Sequence, residues 1–157
     1  MLRVSLISAE TGFDPQASGD LYSMYVNHAI FDAPYTYDYL ARPYRIVPNT
    51  AVALPEISAD GLTWTIRIKP GIHFAADPAF KGKVRELTAA DYAYSWKRVL
   101  DPILRSPNLQ QFDGKFVGME ALVSQAKAKG KFDYDAPLEG LRVIDRYTLQ
   151  LKLNAPS

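Results

Sequence analysis

The chain has 157 residues, of which 48% are hydrophobic, so it is long and apolar enough to bury one ordinary core. The formal net charge is only +1, and the basic residues cluster among glycine and alanine, which argues against a nucleic-acid-binding surface. No apolar run reaches the roughly 18 residues that a membrane-spanning helix needs. The absence of cysteine excludes disulfides and thiol chemistry.

The first residues predict a strand followed by a long loop. Leu2, Val4 and Leu6 alternate with polar residues, which is typical of a strand. These residues do not have the pattern of a signal peptide. Residues 9–19 are dense in turn formers and predict a loop that contains an Asp-Pro pair.

A helix is predicted after this loop. Asp20 is a candidate N-cap, and the helix is expected to continue to about Phe31. Its predicted apolar side comprises Leu21, Tyr25 and Ala29, with Met24 and His28 beside them.

Residues 34–54 are rich in tyrosine and interrupted by proline, which predicts short extended pieces. The tyrosines are Tyr35, Tyr37, Tyr39 and Tyr44. Their rings are interpreted as packing a loop onto a core with the hydroxyls in water, in preference to a stacking surface for a ligand.

The centre of the chain predicts a hairpin and a helix. Residues 62–68 alternate strictly between apolar and polar, and Pro70-Gly71 suits a tight turn, after which Ile72 and Phe74 resume the apolar phase. Thr88 is a candidate cap for a helix that ends at Asp101-Pro102. The apolar face of that helix comprises Tyr92, Trp96, Val99 and Leu100.

The last third predicts a helix and a second hairpin. The helix begins near Met119 and ends before Gly130. Strands at 141–144 and 147–153 are joined by a turn at Asp145-Arg146. This hairpin is expected to pair with the first one, which makes a sheet with helices on one face.

These motifs and their order resemble those of bacterial extracellular solute-binding proteins of family 5, the substrate receptors of ABC importers for dipeptides and oligopeptides. The matching segments are Asp60-Gly61-Leu62-Thr63-Trp64-Thr65, Lys69-Pro70-Gly71, Thr88-Ala89-Ala90-Asp91-Tyr92-Ala93-Tyr94-Ser95-Trp96 and residues 140–153. Residues 76–83 replace the shorter loop of the family, which suggests a subgroup with a longer loop.

The resemblance implies an α+β fold with a mixed, mainly antiparallel sheet and helices packed on it, as the N-terminal part of a type II periplasmic-binding-protein-like fold. It covers nearly the whole chain but only about the first third of a family member. We therefore expect residues 1–33 to be the opening segment of the first lobe and residues 34–157 to be an extra α+β subdomain. The second lobe is then absent.

The resemblance also implies a ligand site. In the family, residues just after the Asp-Pro pair lie beside the ligand cleft. The matching positions here are Ala17, Ser18, Gly19 and Asp20. The competing interpretation of the same stretch is a capped loop-to-helix junction with no ligand.

Patterns typical of catalysis or metal binding are missing from the sequence. No glycine-rich phosphate loop precedes a helix, and no His or Cys spacing fits zinc. His28 and His73 are interpreted as packing histidines. We expect no enzyme activity, no metal and no cofactor.

The expected function is that of the peptide-binding component of an ABC importer, which captures its ligand in a cleft between two lobes. The resemblance implies a small peptide or related solute and an inner-membrane permease as partners, a periplasmic location and a monomer. Because one wall of the cleft is missing, the chain alone is expected to bind no peptide tightly. The alternative is a self-contained α+β protein-interaction module that uses its tyrosine-rich surface.

Overall fold

The computed structural model describes residue 5 and residues 7–156. The helices are α1 (Leu21–Ile30), α2 (Ala89–Leu100) and α3 (Met119–Lys129), with short 3-10 turns at Pro78–Phe80 and Leu109–Gln111. The strands are β1 (Tyr35–Tyr37), β2 (Ile46–Pro48), β3 (Glu56–Ile57), β4 (Thr63–Arg67), β5 (Leu141–Asp145) and β6 (Thr148–Lys152). The predicted opening strand at Leu2, Val4 and Leu6 lies outside the described residues. Within the described part of the chain, no helix is long and apolar enough to cross a membrane.

Four strands form one sheet in the order β3-β4-β6-β5, and β1 and β2 form a separate two-stranded ribbon. β4 pairs with β6 over five residues, with Trp64 opposite Leu151 and Ile66 opposite Leu149. All pairings between the described strands are antiparallel. This arrangement confirms the predicted α+β fold, in which the two halves of the chain contribute strands to one mainly antiparallel sheet.

The first predicted hairpin is wrong in its pairing. Ile72 and Phe74 do not return along β4; their backbones bond to residues 85–87, with the Phe74 amide donating to the Arg85 carbonyl at 2.9 Å. β4 is flanked by β3 and β6 instead. Alternation predicts that a segment is a strand, but it does not say which other segment supplies its hydrogen-bond partners.

The second hairpin is confirmed, with its turn one residue later than predicted. β5 ends at Asp145 and β6 begins at Thr148, so the turn residues are Arg146 and Tyr147. The Asp145 carboxylate accepts a 2.8 Å hydrogen bond from the Tyr147 amide, which fixes the turn. The pairing of β5 with β6 shifts its register between Val143 and Asp145, as at a β-bulge.

The core lies between this sheet and α2 and α3. Its fully buried members include Ile68, Leu100, Met119 and Leu149. Burial of a side chain of this size contributes about 1.5–3 kcal/mol of transfer free energy. The predicted start of α2 is confirmed, since the Asp91 carboxylate accepts hydrogen bonds from the amide and hydroxyl of Thr88, at 2.8 and 2.9 Å.

Three chain segments cross at Gly140. Its amide donates to the Val117 carbonyl at 2.8 Å, and its carbonyl accepts from the Lys152 amide at 3.0 Å. A Cβ at this position would lie 2.6 Å from the Val117 nitrogen and 2.7 Å from the Phe116 Cβ. The crossing therefore requires glycine, because any side chain would collide with backbone.

The predicted cap of α1 is confirmed, and the predicted apolar side of the helix is exposed. Asp20 caps the helix by accepting a 2.8 Å hydrogen bond from the Ser23 amide. Ser23 and Asn27 are the buried residues of α1, whereas the apolar side is exposed. The exposed residues include Leu21, Met24, Tyr25, His28, Ala29 and Ile30. Hydrogen bonding decides the orientation, because the Thr11 amide donates to the Ser23 hydroxyl at 3.0 Å.

Candidate functional site

The four candidate ligand residues lie together at the end of the loop that precedes α1. Ala17 and Gly19 are exposed, Ser18 is buried and Asp20 is half-buried. The Ser18 hydroxyl donates to the carbonyls of Asp14 at 2.8 Å and Gly12 at 3.2 Å, which folds the loop back on itself. Gly19 has no hydrogen-bond partner for its amide among the described residues. The two exposed candidate residues, Ala17 and Gly19, carry no polar side chain.

Both carboxylate oxygens of Asp20 already accept hydrogen bonds within the protein. One carboxylate oxygen accepts from the Ser23 amide, and the other accepts from the Thr11 hydroxyl at 2.5 Å. The hydrogen bonds from Ser23, followed by that from Thr11, hold the pKa of Asp20 well below its usual value. Asp20 is thus an ionised cap at the start of α1, where a negative charge is favoured by the helix dipole.

An ion pair joins this loop to α2. Both guanidinium Nη atoms of Arg98 donate to the Asp14 carboxylate, at 3.0 and 2.5 Å. These hydrogen bonds lower the pKa of Asp14, and Asp14 raises the pKa of Arg98. The two-point geometry fixes the direction of both side chains, which a single contact would not do.

The connection that follows α2 holds the other side of the loop. The buried Ser106 hydroxyl donates to the Gln16 carbonyl at 2.5 Å. The Asn108 amide group donates to the carbonyls of Pro15 and Ser18, each at 3.2 Å. Pro107, between them in the chain, is so close to Gly19 that a Cβ there would meet it at 3.3 Å.

Two buried polar side chains near this loop lack a partner for one oxygen within the described residues. They are Gln16 and Asn27, which are only 8% and 6% exposed. Buried polar atoms in folded proteins are nearly always paired. The polar groups around the loop and α1 are therefore incompletely satisfied by residues 7–156.

The tyrosine-rich ribbon differs from its predicted role. The ring of Tyr35 packs against the core, as predicted, but its hydroxyl is buried and not in water. Tyr37, Tyr39 and Tyr44 are 65%, 87% and 76% exposed, so they do not pack a loop onto the core. Tyr37 and Tyr44 contact each other edge to face, with ring centroids 5.7 Å apart.

The sequence analysis missed an aromatic groove of about 450 Å³ on the sheet side of the molecule. Its lining includes Trp64, Trp96, Phe112 and Leu151. The apolar phases that contain Trp64, Trp96 and Leu151 are visible in the sequence, whereas the segment around Phe112 has no clean period, and these residues are far apart in the chain. Only the pairing of β4 with β6 and the position of α2 bring them together.

The structure offers no arrangement for metal binding within the described residues, where no three His, Cys, Asp or Glu side chains come together. His28 and His73 are both exposed, so the interpretation that they are packing histidines is wrong. His28 lies on α1, and His73 lies in the segment that pairs with residues 85–87, where it is opposite Glu86.

Solved structures of peptide-binding proteins share this fold. The pheromone receptor PrgZ, studied for its mode of peptide binding, superposes with a TM-score of 0.70 at 26% identity, over 92% of this chain and 25% of its own. OppA of Haemophilus influenzae, in complex with RPPGFSPFR, gives a TM-score of 0.72 over 95% of this chain and 26% of its own. Its 22% identity shows the fold alone.

The family model for bacterial extracellular solute-binding proteins, family 5 Middle, matches residues 45–157, and the chain belongs to this family. A curated relative, Di/tripeptide-binding protein 2 of Pseudomonas aeruginosa (strain UCBPP-PA14), is 32% identical over 112 residues. That match covers 64% of this chain and 18% of the relative. The chain therefore spans less of its relatives than the third expected from the resemblance.

Proposed function

We propose that this chain is part of the peptide-binding component of an ABC importer, with di- or oligopeptides as ligands. Membership of the solute-binding family over residues 45–157 is the observation that carries the proposal. The relative from P. aeruginosa is named for di- and tripeptides, and OppA is described in complex with a longer peptide. An interaction module remains as the second candidate, supported by the exposed Tyr37, Tyr39 and Tyr44.

In this proposal residues 1–33 open the first lobe, and residues 34–157 form its extra subdomain. The ligand would lie against the exposed residues Ala17 and Gly19, beside the cap of α1. Ser18 and Asp20 shape the loop through the hydrogen bonds that they make within it. The second lobe, which would supply the opposite wall of the cleft, closes over the peptide by a hinge motion.

The remaining features of the proposal follow from the family. The full-length protein is an extracellular or periplasmic monomer that delivers its ligand to an inner-membrane permease, and it performs no catalysis. The family description places its members outside the cytoplasm.

The test is to purify the longer protein that carries this chain from its host, denature it and identify the released small molecules by mass spectrometry. Recovery of short peptides is expected. A candidate at 100 times its dissociation constant adds about 2.7 kcal/mol to stability, so a thermal melt with the recovered peptide gives an independent check. The absence of any released ligand, together with no melt response to peptide pools, would refute the receptor and favour the module.

The 157-residue chain alone is expected to bind no peptide with micromolar or better affinity, because the cleft has only one wall. Isothermal titration with the peptide recovered from the longer protein measures this. Tight binding by the chain alone would place the whole site within these residues and contradict the two-wall cleft.

A further inference from the structure

Local hydrogen bonds hold the loop of residues 12–20 in one turn. The loop contains no helix or strand. In that turn the Asp14 carbonyl accepts from the amides of Ala17 and Ser18 at 2.9 and 3.0 Å, and the Ser18 hydroxyl donates to the carbonyls of Asp14 and Gly12. A loop of this length with a single turn samples many conformations unless other parts of the molecule restrain it.

The restraints come from residues far along the chain. Arg98, in the last turn of α2, binds the Asp14 carboxylate at two points. Ser106 and Asn108 bind three backbone carbonyls on the other side of the loop, those of Pro15, Gln16 and Ser18. The contacts thus enclose the turn from both sides, and they involve residues that are otherwise absent from the candidate ligand surface.

The connection after α2, which carries Ser106 and Asn108, is itself held by hydrogen bonds. Ser106 is buried, and its hydroxyl also accepts a hydrogen bond from the backbone amide of Asn108 at 3.2 Å. The Asp101 carboxylate at the end of α2 accepts from the Ile103 amide at 2.9 Å and from the Tyr134 hydroxyl at 2.8 Å. The connection after α2 is therefore anchored to the core before it reaches the loop.

We infer that Arg98, Ser106 and Asn108 are positioning residues that set the conformation of the loop of residues 12–20, and through it the geometry of the ligand surface. The inference rests on the proposed function for the meaning of that surface. It predicts that substitutions at these three residues weaken peptide binding without touching the peptide. It also predicts that the segment before residue 34 and the subdomain after it move as one body.

The first test uses hydrogen exchange on the chain itself. In Arg98→Ala, the hydrogen-bonded amides of Gln16, Ala17 and Ser18 are expected to exchange roughly tenfold faster while those of β4 and β6 are unchanged. The reason is that a half-exposed two-point ion pair is stronger than a typical surface pair. Arg98→Lys keeps the charge and loses one contact point, so its exchange rate is expected to lie between those of the parent and Arg98→Ala. The double variant Asp14→Arg/Arg98→Asp is expected to restore slow exchange.

The matched control is Arg67→Ala, which removes the exposed ion pair with Glu56 at the other end of the sheet. It should leave residues 12–20 unaffected. Asn108→Ala is a second, milder variant that serves if Arg98→Ala does not fold. Unchanged exchange of residues 12–20 in both Arg98→Lys and Asn108→Ala, or an equal rise in Arg67→Ala, would overturn the inference.

The second test measures peptide affinity of the longer protein. Arg98→Lys and Asn108→Ala are expected to weaken binding roughly threefold to tenfold, with partial recovery in the charge-swapped double variant. Faster loop exchange with unchanged affinity would overturn the link to the ligand surface and leave the loop restraint in place. A protein that binds no peptide in any form, with the exchange result as expected, would refute the proposed function and not the positioning of the loop.

Discussion

Replacement of Gly140 by alanine should severely destabilise the chain. The added Cβ would lie 2.6 Å from the Val117 nitrogen, 2.7 Å from the Phe116 Cβ and 2.8 Å from the Val117 oxygen. Overpacking of this kind costs about 1–3 kcal/mol. The displacement also weakens the two backbone hydrogen bonds of Gly140, each worth about 0.5–1.5 kcal/mol. The expected total is about 2–6 kcal/mol, a large part of the about 5–15 kcal/mol by which domains are stable.

Urea unfolding of both chains, followed by circular dichroism, measures this difference. Gly82→Ala is the control, because Gly82 has a φ of +75° and nothing within 4 Å of the new Cβ. Gly82→Ala is therefore expected to lose only about 1–2 kcal/mol of stability, the cost of a left-handed backbone at alanine. The lower conformational entropy of the unfolded alanine variant partly offsets this loss. A loss below about 1 kcal/mol for Gly140→Ala, or a loss equal to that of the control, would refute the steric argument.

Two further predictions concern single polar contacts. Hydrogen bonds from Arg146, the Gly71 amide and Tyr147 lower the pKa of Glu86 to about 2 from its usual value of 4.5. Because the folded value is depressed, the stabilisation is complete above pH 4.5 and is lost towards pH 2. The stability difference between the parent and Arg146→Ala should therefore shrink over this range in urea melts; a constant difference would contradict it. Tyr92→Phe removes the 2.6 Å hydrogen bond to Thr50 and should cost about 1–2 kcal/mol in the same assay, whereas an unchanged midpoint would show that water replaces the hydroxyl.

The sequence was most informative where a local signal has one structural meaning. The capping residues Thr88 and Asp20 begin the two helices that they were expected to begin. The stop at Asp101 before proline, and Gly130 after α3, lie where predicted, with Gly130 in the left-handed conformation. These signals act within one or two turns of the helix, so no distant contact can override them.

Predictions failed where the answer depends on a distant partner. The apolar side of α1 could be read from its spacing, but its exposure depends on what packs there, and the loop before it buries Ser23 instead. Likewise, the candidate residues Ala17 to Asp20 could be located by resemblance, whereas the residues that hold them could not. Arg98 resembles any basic residue in a last helical turn until the structure places it against Asp14.

The pairing of β4 with β6 also determines when this chain can fold during its synthesis. The two central strands of the sheet are separated by residues 68–147, so β4 has only the short strand β3 beside it until β6 has been made. At about 5–20 residues per second, the ribosome takes several seconds to bridge that gap. Throughout this interval one edge of β4 remains open to other chains. The nascent chain is therefore most prone to aggregate just before its last hairpin emerges.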